Sequence, residues 1–511
     1  MESALLNLVI WLPLLVGLLL LLFSDEKGQN AARMWAAVGT GLVLVLTLWL
    51  YARFDMSAEG YQFMSQVDWL RTTGFNFGST YFVGVDGVSM PMVLLNSLLG
   101  FLAVLISWYS VQLRTKLYYA VLLILQTAVA GVFCSLDFFL FFLFWELELA
   151  PMFLLIGIWG GQRREYAAFK FILYTLFGSA FMLMGILALY FGPGTQTFNM
   201  LELADKARDF NLGFQTLIFV LLFVGFAVKI PVVPFHTWLP DAHTEAPTAG
   251  SVILAGVLLK MGAYGLIRLT VGLLPDAAQT LAFGIGLLAV INVLYGAYLA
   301  MSQVIPSSPQ QDLKKLIANS SISSMGYVLL GIAALNQLGL QGAVLHMFTH
   351  GLYSGLLFMM VGLLYDRAHT RLIPRFGGLA AQIPFISTIF IMAGLAALGL
   401  PGMAAFVSEF TVFLGAYSAG SAEMPYMTIF TILSVFGIVL TAAYVLWTVT
   451  RVFHGPLNPE WAEHPLPDAY PVERFAVGAL TFVILLVGII PGVLAPMIAV
   501  GVEPIAQLFA G

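Results

Sequence analysis

Fourteen predominantly apolar stretches, each about 20 residues long or longer, run from about residue 4 to about residue 498. A helix needs ~20 such residues to cross the hydrocarbon core of a bilayer. The stretches predict fourteen transmembrane helices and leave little chain for anything else. Composition agrees: 60% of the 511 residues are hydrophobic and only 9% are charged, against ~25% charged in a soluble domain. Such a chain cannot hide its apolar side chains in a water-solvated core. The expected class is an all-α polytopic membrane protein. The first stretch has no basic residue before it and no small-residue cleavage site, so a retained span is expected and not a signal peptide.

Several functions are disfavoured at once. No GxGxxG or P-loop pattern is present and no soluble domain is expected, so neither a nucleotide fold nor nucleic-acid binding is. The single cysteine, Cys134, allows no internal disulfide and no thiolate-ligated cluster or zinc site. Orientation follows from the 21 Lys and Arg. Lys229 and Lys260 fall inside spans. Of the other nineteen, fourteen flank odd-numbered connections, among them Lys27, Arg114, Lys116, Arg163, Arg164, Lys315, Arg367 and Arg371. Five flank even ones: Arg53, Arg71, Lys206, Arg208 and Arg268. The positive-inside rule then places the odd connections in the cytoplasm and both termini outside.

Ionisable residues inside spans cost about 2.5 to 3.5 kcal/mol each on insertion scales, so each needs a reason. Span five (about 137–158) carries Glu146 and Glu148 in FLFWELELAP. Glu146 lies nine residues after Asp137, ~13 Å along a helix and close to mid-membrane. Asp137 is expected to cap the helix at the surface. Glu148 lies one or two turns from the end of span five, where a wet or locally paired acid is as good a reading as a functional one. Span seven (about 213–235) carries Lys229, and span eight (about 248–270) carries Lys260. These lysines either neutralise carboxylates as a folding device or serve an ion pathway. Burial disfavours the charge on a lysine and a neighbouring acid favours it, so a lysine balanced between the two can exchange a proton when its partner moves. Span eleven (about 340–364) carries His346 and His350, four apart on one helix face. That spacing can hold a metal, but no third ligand has recognisable spacing, so the reading is a relay histidine with a packing or hydrogen-bonding neighbour and no metal. Span twelve (about 383–417) carries Glu409.

Two of these spans contain helix breakers. Pro231 and Pro234 follow Lys229, and Pro401-Gly402 precedes Glu409. Proline frees backbone carbonyls of the preceding turn, and in a bilayer these must be satisfied by protein or water. Broken spans beside a charge therefore predict polar cavities at the midplane, as in transporters. His236, just past the second proline, is expected to cap or hydrate the break.

The block FVGFAVKIPVVPFHTWLPDAHTEAPTAGSVILAGVLLKMGAYGLIRL resembles the core signature of the antiporter-like subunits of proton-translocating NADH–quinone oxidoreductase, respiratory complex I. VGVDGVSMPMVLL, FFLFWELELAPMFLLIGIWGG, DLKKLIANSSISSMGYVLLG and LPGMAAFVSEF extend the resemblance over nearly the whole chain. Within the family the chain resembles the subunit M, or chain 4, branch, where a glutamate stands at the place of Glu409 and sister subunits typically carry lysine.

The resemblance implies helices one to three over 1–116, a first five-helix repeat over 117–270, an inverted second repeat over 271–453 and helix fourteen over 454–511, with helices seven and twelve broken. It implies a proton relay of a Glu146–Lys229 ion pair, Lys260 at the centre, His350 linking the halves and Glu409 toward the outside. NADH, FMN, iron–sulfur clusters and quinone are then expected on partner subunits, and no cofactor on this chain. Expected partners are other membrane-arm subunits, sister antiporter-like subunits included, and the lipid of a bacterial inner membrane.

Three departures stand out. Ser324 in SISSMG fills a position where the family often has histidine, leaving Ser324 with water, or His346, as substitute. Residues 304–310, VIPSSPQ, are an apparent insertion, expected as a loop. Glu148 stands where the family usually has an apolar residue, and its charge is expected to repel that of Glu146. Lys315 and His236 are secondary relay candidates. The competing readings are a multisubunit cation/proton antiporter and a ferredoxin-fed or hydrogenase relative of complex I.

Overall fold

The computed structural model describes residues 2–22, 29–70, 78–422 and 424–510. Lys27 and Arg71 lie outside them. Among the described residues thirteen helices are long and apolar enough to cross a membrane, from Ser3–Leu20 to Pro471–Ile489. The fourteenth expected span, number twelve, comes in two pieces, Pro384–Ala397 and Ala404–Ala422.

Burial sorts the spans into a centre and a rim. The most apolar stretches of spans ten (Leu313–Ala333) and eleven (Gln337–Ala368) are wholly buried in protein, and that of span eight (Thr248–Val271) nearly so. Spans one, two, six, thirteen and fourteen keep large apolar side chains on the outside. Lipid is as apolar as leucine, so small and polar residues select the centre. Span ten shows the pattern, with Asn319, Ser320, Ser321, Ser323 and Ser324 all buried.

One feature departs from the all-helical expectation. Strands β1 (Gln62–Val67) and β2 (Tyr81–Val85) form an antiparallel hairpin between spans two and three. The segment just before β2 fixes the start of span five. Asp137 caps that helix through the Leu140 amide at 3.0 Å, as expected. It is not at the surface, however: it is fully buried, accepting also from Ser79 Oγ (2.9 Å) and the Thr80 amide (3.0 Å).

Four spans are irregular, and the irregularities surround the buried charges. Span five divides at Glu148 into Phe138–Leu147 and Leu149–Trp159. Pro151 has no N–H to offer the Leu147 carbonyl one turn earlier. Span seven (Leu212–Lys229) ends at Lys229 and resumes as Trp238–Glu245. Asn292 of span nine (Pro275–Ser302) closes that break: its Oδ1 accepts the Val233 amide at 2.8 Å and its Nδ2 donates to the Pro231 carbonyl at 3.2 Å. Span eight has π-helical turns at Leu254–Leu258 and Leu266–Val271, either side of Lys260. Such turns recur at functional sites because they free backbone groups. Span twelve turns through Gly399 and Gly402, both at positive φ. The 304–310 insertion is a turn-rich loop, held by Gln311 Nε2 to the Pro306 and Ser308 carbonyls.

Candidate functional site

Lys229 is the last helical residue before the span-seven break. Its Nζ is bonded to Oε1 of Glu148, and both side chains are at most 1% exposed. The ring of Trp145 lies 5.4 Å and that of Phe171 5.7 Å from the ammonium, adding cation–π attraction in a dry setting. This corrects the sequence pairing. Glu146 is not the partner of Lys229; it is half-buried on another face of span five, its Oε1 without a hydrogen bond among the described residues. The two acids are two residues apart, ~200° around a helix, so only one can face span seven. Glu148 is correspondingly not a wet end-of-span acid.

Span eight packs on the end of span seven, with Gly262 against the Phe226 carbonyl and Ile230. Spans eight and eleven approach closely where Gly256 meets Gly351; a Cβ on Gly351 would come within 2.6 Å of the Gly256 carbonyl oxygen. That approach brings Lys260 to His350. Lys260 Nζ lies 2.7 Å from His350 Nδ1 and donates to the Ala255 carbonyl at 2.5 Å. Both residues are fully buried, and no carboxylate lies within ion-pair distance of Lys260 among the described residues. A cation–imidazole contact of this kind holds one proton between two bases.

On span eleven His346 is bonded to Ser408 Oγ of span twelve at 2.9 Å. Glu409, the next residue, is buried with its carboxylate against Gly399.

Residues 135–441, more than half of the chain, match the family model described as NADH:quinone oxidoreductase/Mrp antiporter, TM. The chain belongs to that family. The NAD(P)H-quinone oxidoreductase chain 4 1 of Synechococcus elongatus is 43% identical over 94% of this chain and 88% of its own. The NADH-quinone oxidoreductase subunit M of Rickettsia bellii is 37% identical over the full length of both. A chain of respiratory complex I from Thermus thermophilus with bound NADH superposes with a TM-score of 0.85 at 28% identity, covering 99% of this chain and 100% of that one. The Mrp complex from Dietzia sp. DQ12-45-1b gives the same TM-score at 20% identity over 99% and 97%, which shows the fold alone.

The secondary candidates of this family member separate clearly. Ser324 is not free: Tyr353 donates to it at 2.9 Å, and its own hydroxyl donates to the Ser320 carbonyl. Lys315 lies apart from the buried residues, bonded to Gln310 at 2.7 Å. His236 sits edge-on to Tyr295, and its Nδ1 has no hydrogen bond among the described residues. The break is held by Asn292 instead.

Three residues escaped sequence reasoning. Asn292 gave no signal, being one amide in an apolar span. His243 is fully buried, stacked on Phe358 at 4.5 Å, with neither ring nitrogen bonded among the described residues. Its signal was its place beside the broken helix, in LPDAHTEAP. Asp86 of GVDGVS forms a buried ion pair with Arg268 near the end of span eight.

The connections after spans five, seven, nine and eleven meet in a polar cleft of about 300 Å³. There Arg371 bonds Asp312 (2.6 Å) and Glu245 (3.4 Å), and Glu245 accepts the Arg163 amide at 2.9 Å. Lys314, buried behind it, donates to the Ala246 carbonyl at 2.6 Å.

Proposed function

We propose that this chain is the subunit-M-type, proton-translocating membrane-arm subunit of a redox-driven NADH–quinone oxidoreductase. It carries no electron-transfer chemistry itself; NADH, flavin, iron–sulfur clusters and quinone belong to partner subunits. The observation that carries this reading is Lys260, buried with no acid within ion-pair distance among the described residues and 2.7 Å from His350 Nδ1. A structural lysine would be expected to have a carboxylate beside it.

The proposed sequence starts at the Glu148–Lys229 pair. When a neighbouring subunit draws on the pair, Lys229 moves and its charge acts on Lys260. At an effective dielectric of about 20, bringing one unit charge from ~8 Å to ~4 Å of another changes the energy by about 2 kcal/mol, roughly thirtyfold in an equilibrium. That is enough to drive a proton from Lys260 to His350 and on toward Glu409. The odd-numbered connections, with the polar cleft, face the cytoplasm of a bacterial inner membrane in this reading, and both termini face outward. The two halves of the chain, 117–270 and 271–453, are read as inverted repeats.

The test is the coupling ratio of the purified complex in vesicles. Lys229→Met and Lys260→Met should each abolish most proton translocation while electron transfer in the hydrophilic arm persists. Near-normal translocation in both rejects the relay. Copurification separates the nearest alternative: flavin and iron–sulfur subunits accompany a redox complex, and only small membrane subunits accompany a cation/proton antiporter.

A further inference from the structure

Span three (Ser89–Ile106) carries none of the ionisable residues of the site, yet most of its length is buried. Two of its faces are held by polar contacts. Ser97 Oγ bonds Thr47 Oγ1 of span two (Gln29–Arg53) at 2.8 Å. Asn96 Nδ2 donates to the Gln126 carbonyl of span four (Thr115–Cys134) at 3.0 Å, and a Cβ on Gly100 would stand 2.5 Å from Gln126 Nε2. Just before the helix, Asp86 is paired with Arg268 of span eight. Turning or sliding span three would strand these buried polar groups, so the helix is a fixed support.

Its remaining face carries Leu95 and Leu99, four residues apart and therefore one above the other. They enter a notch that glycines leave at the crossing of spans eight and eleven. A Cβ on Gly256 of span eight would collide with Leu99 Cδ1, and one on Gly355 of span eleven would press on Leu99 Cδ2 at 3.3 Å. A Cβ on Gly351 would lie 2.5 Å from Leu95 Cδ2 and 3.2 Å from Leu95 Cδ1. Both leucines are fully buried, and the two methyls of Leu99 are engaged one on each helix, so neither has room to swing aside. Lys260 and His350 are aimed from the walls of this notch. Gly256 belongs to the π-helical turn Leu254–Leu258, and the Ala255 carbonyl of the same turn accepts from Lys260 Nζ. Gly351 directly follows His350. A shift of either glycine moves one partner of the 2.7 Å Lys260–His350 contact against the other.

We propose that Leu95 and Leu99 of span three are positioning residues: seated in the notch of Gly256, Gly351 and Gly355, they set the approach of spans eight and eleven and with it the distance from Lys260 to His350. The inference rests on the reading of this chain as a proton translocator. The leucines have nothing to ionise and act only through the two helices that they hold at a fixed spacing. The N-terminal helices thereby take part in translocation without carrying a proton.

The test uses the whole complex in vesicles, reading protons translocated per NADH oxidised, with NADH oxidation and subunit composition measured alongside. A merely structural defect lowers the amount of complex and both activities together, whereas a positioning defect lowers the ratio alone. Gly256→Ala drives a new methyl into Leu99. Misplacing a reacting group by ~1 Å can cost about a hundredfold, so the ratio should fall at least about fivefold. Leu99→Ala/Gly256→Ala removes the methyl that is struck and leaves the new one facing the Gly351 carbonyl at 3.6 Å, an ordinary contact. It should recover most of the translocation. Gly351→Ala should lose as much as Gly256→Ala, but Leu95→Ala/Gly351→Ala should not recover, because the Gly256 carbonyl still lies 2.6 Å from the new Cβ. If Gly256→Ala fails to assemble, Leu99→Ala alone is read; it empties the notch and should lower the ratio to a similar extent. A normal ratio in assembled Gly256→Ala or Leu99→Ala overturns the inference. So does a loss in Gly256→Ala that the Leu99→Ala/Gly256→Ala variant leaves in place, and so does full recovery in Leu95→Ala/Gly351→Ala, since the helix spacing would then not matter. Lys260→Met separates the levels: if it is inactive while Gly256→Ala is normal, only the positioning role falls; if Lys260→Met is normal, the translocator reading falls with it.

Discussion

Lys229 meets Glu148 where two broken helices face each other: Glu148 is the joint between the halves of span five, and Lys229 is the C-terminal residue of the first half of span seven. The carbonyl end of a helix favours a cation, so the backbone of span seven supports the lysine charge in addition to its partner. Removing one member of a buried pair strands the other and costs about 3–5 kcal/mol, whereas replacing both costs much less. Glu148→Gln and Lys229→Met should each lower the melting temperature of the complex, and the double variant should melt higher than either. Glu148→Gln should reduce proton translocation more than Glu146→Gln. A larger loss for Glu146→Gln would restore the pairing that the sequence suggests.

Much of this was legible in the sequence, for a physical reason. Span count follows from length and apolarity, which the bilayer imposes on each helix separately. Lys229, Lys260, His346, His350 and Glu409 are visible because a polar residue in an apolar run is costly wherever it points. Pro231 and Pro401 announce their breaks by lacking an N–H. What the sequence hides is phase. Whether Glu146 or Glu148 meets Lys229 depends on how span five is turned against span seven, and packing of the neighbours sets that. The π-helical turns around Lys260 and the Asn292 clamp are likewise tertiary, since no local pattern encodes them. The β1–β2 hairpin was missed because it is short and lies between two long spans that dominate the reading.

The Asn292 clamp gives a prediction about the break itself. Its amide satisfies the Val233 N–H and the Pro231 carbonyl, and Asn292 is fully buried. An unsatisfied buried backbone group costs about 1–3 kcal/mol. Asn292→Leu should destabilise the chain by a few kcal/mol and speed amide hydrogen exchange at Val233, with little change in more distant spans. Asn292→Asp keeps the acceptor for Val233 but loses the donor to Pro231, and should fall between. Unchanged exchange at Val233 in Asn292→Leu would show that the clamp does not hold the break.

The second break offers a paired comparison. Gly399 (φ +72°) and Gly402 (φ +89°) both occupy the left-handed region. A side chain there costs about 1–2 kcal/mol. A Cβ on Gly399 would also stand 2.5 Å from Glu409 Oε2, while one on Gly402 would meet nothing within 4 Å. Gly399→Ala must therefore displace the Glu409 carboxylate, and Gly402→Ala need not. Both variants should lose similar backbone stability, but only Gly399→Ala should lose proton translocation, by at least about fivefold if Glu409 is a proton-carrying group. Equal translocation in the two variants would remove Glu409 from the relay.

The Asp86–Arg268 pair places a restraint on the helix that carries Lys260. Asp86 Oδ1 accepts the amides of Val88 (3.1 Å) and Ser89 (3.0 Å), capping the helix of span three, and Oδ2 is the atom that meets Arg268. The guanidinium also lies over the Tyr61 ring at 5.3 Å. Arg268 belongs to the π-helical turn Leu266–Val271, two helical turns past Lys260, so the pair ties that irregular segment to span three. Arg268→Met leaves the Asp86 charge buried and should cost about 3–5 kcal/mol. Asp86→Asn keeps an oxygen for the cap, and combining it with Arg268→Met should recover part of that loss. Arg268→Lys should recover less than the double variant, because an ammonium lacks the planar face that lies on Tyr61. Thermal melting of the four proteins checks the order, and hydrogen exchange over 266–271 checks the place. If Arg268→Met melts with the parent, the pair is not what holds the end of span eight, and the π-helical turn must be supported by packing alone.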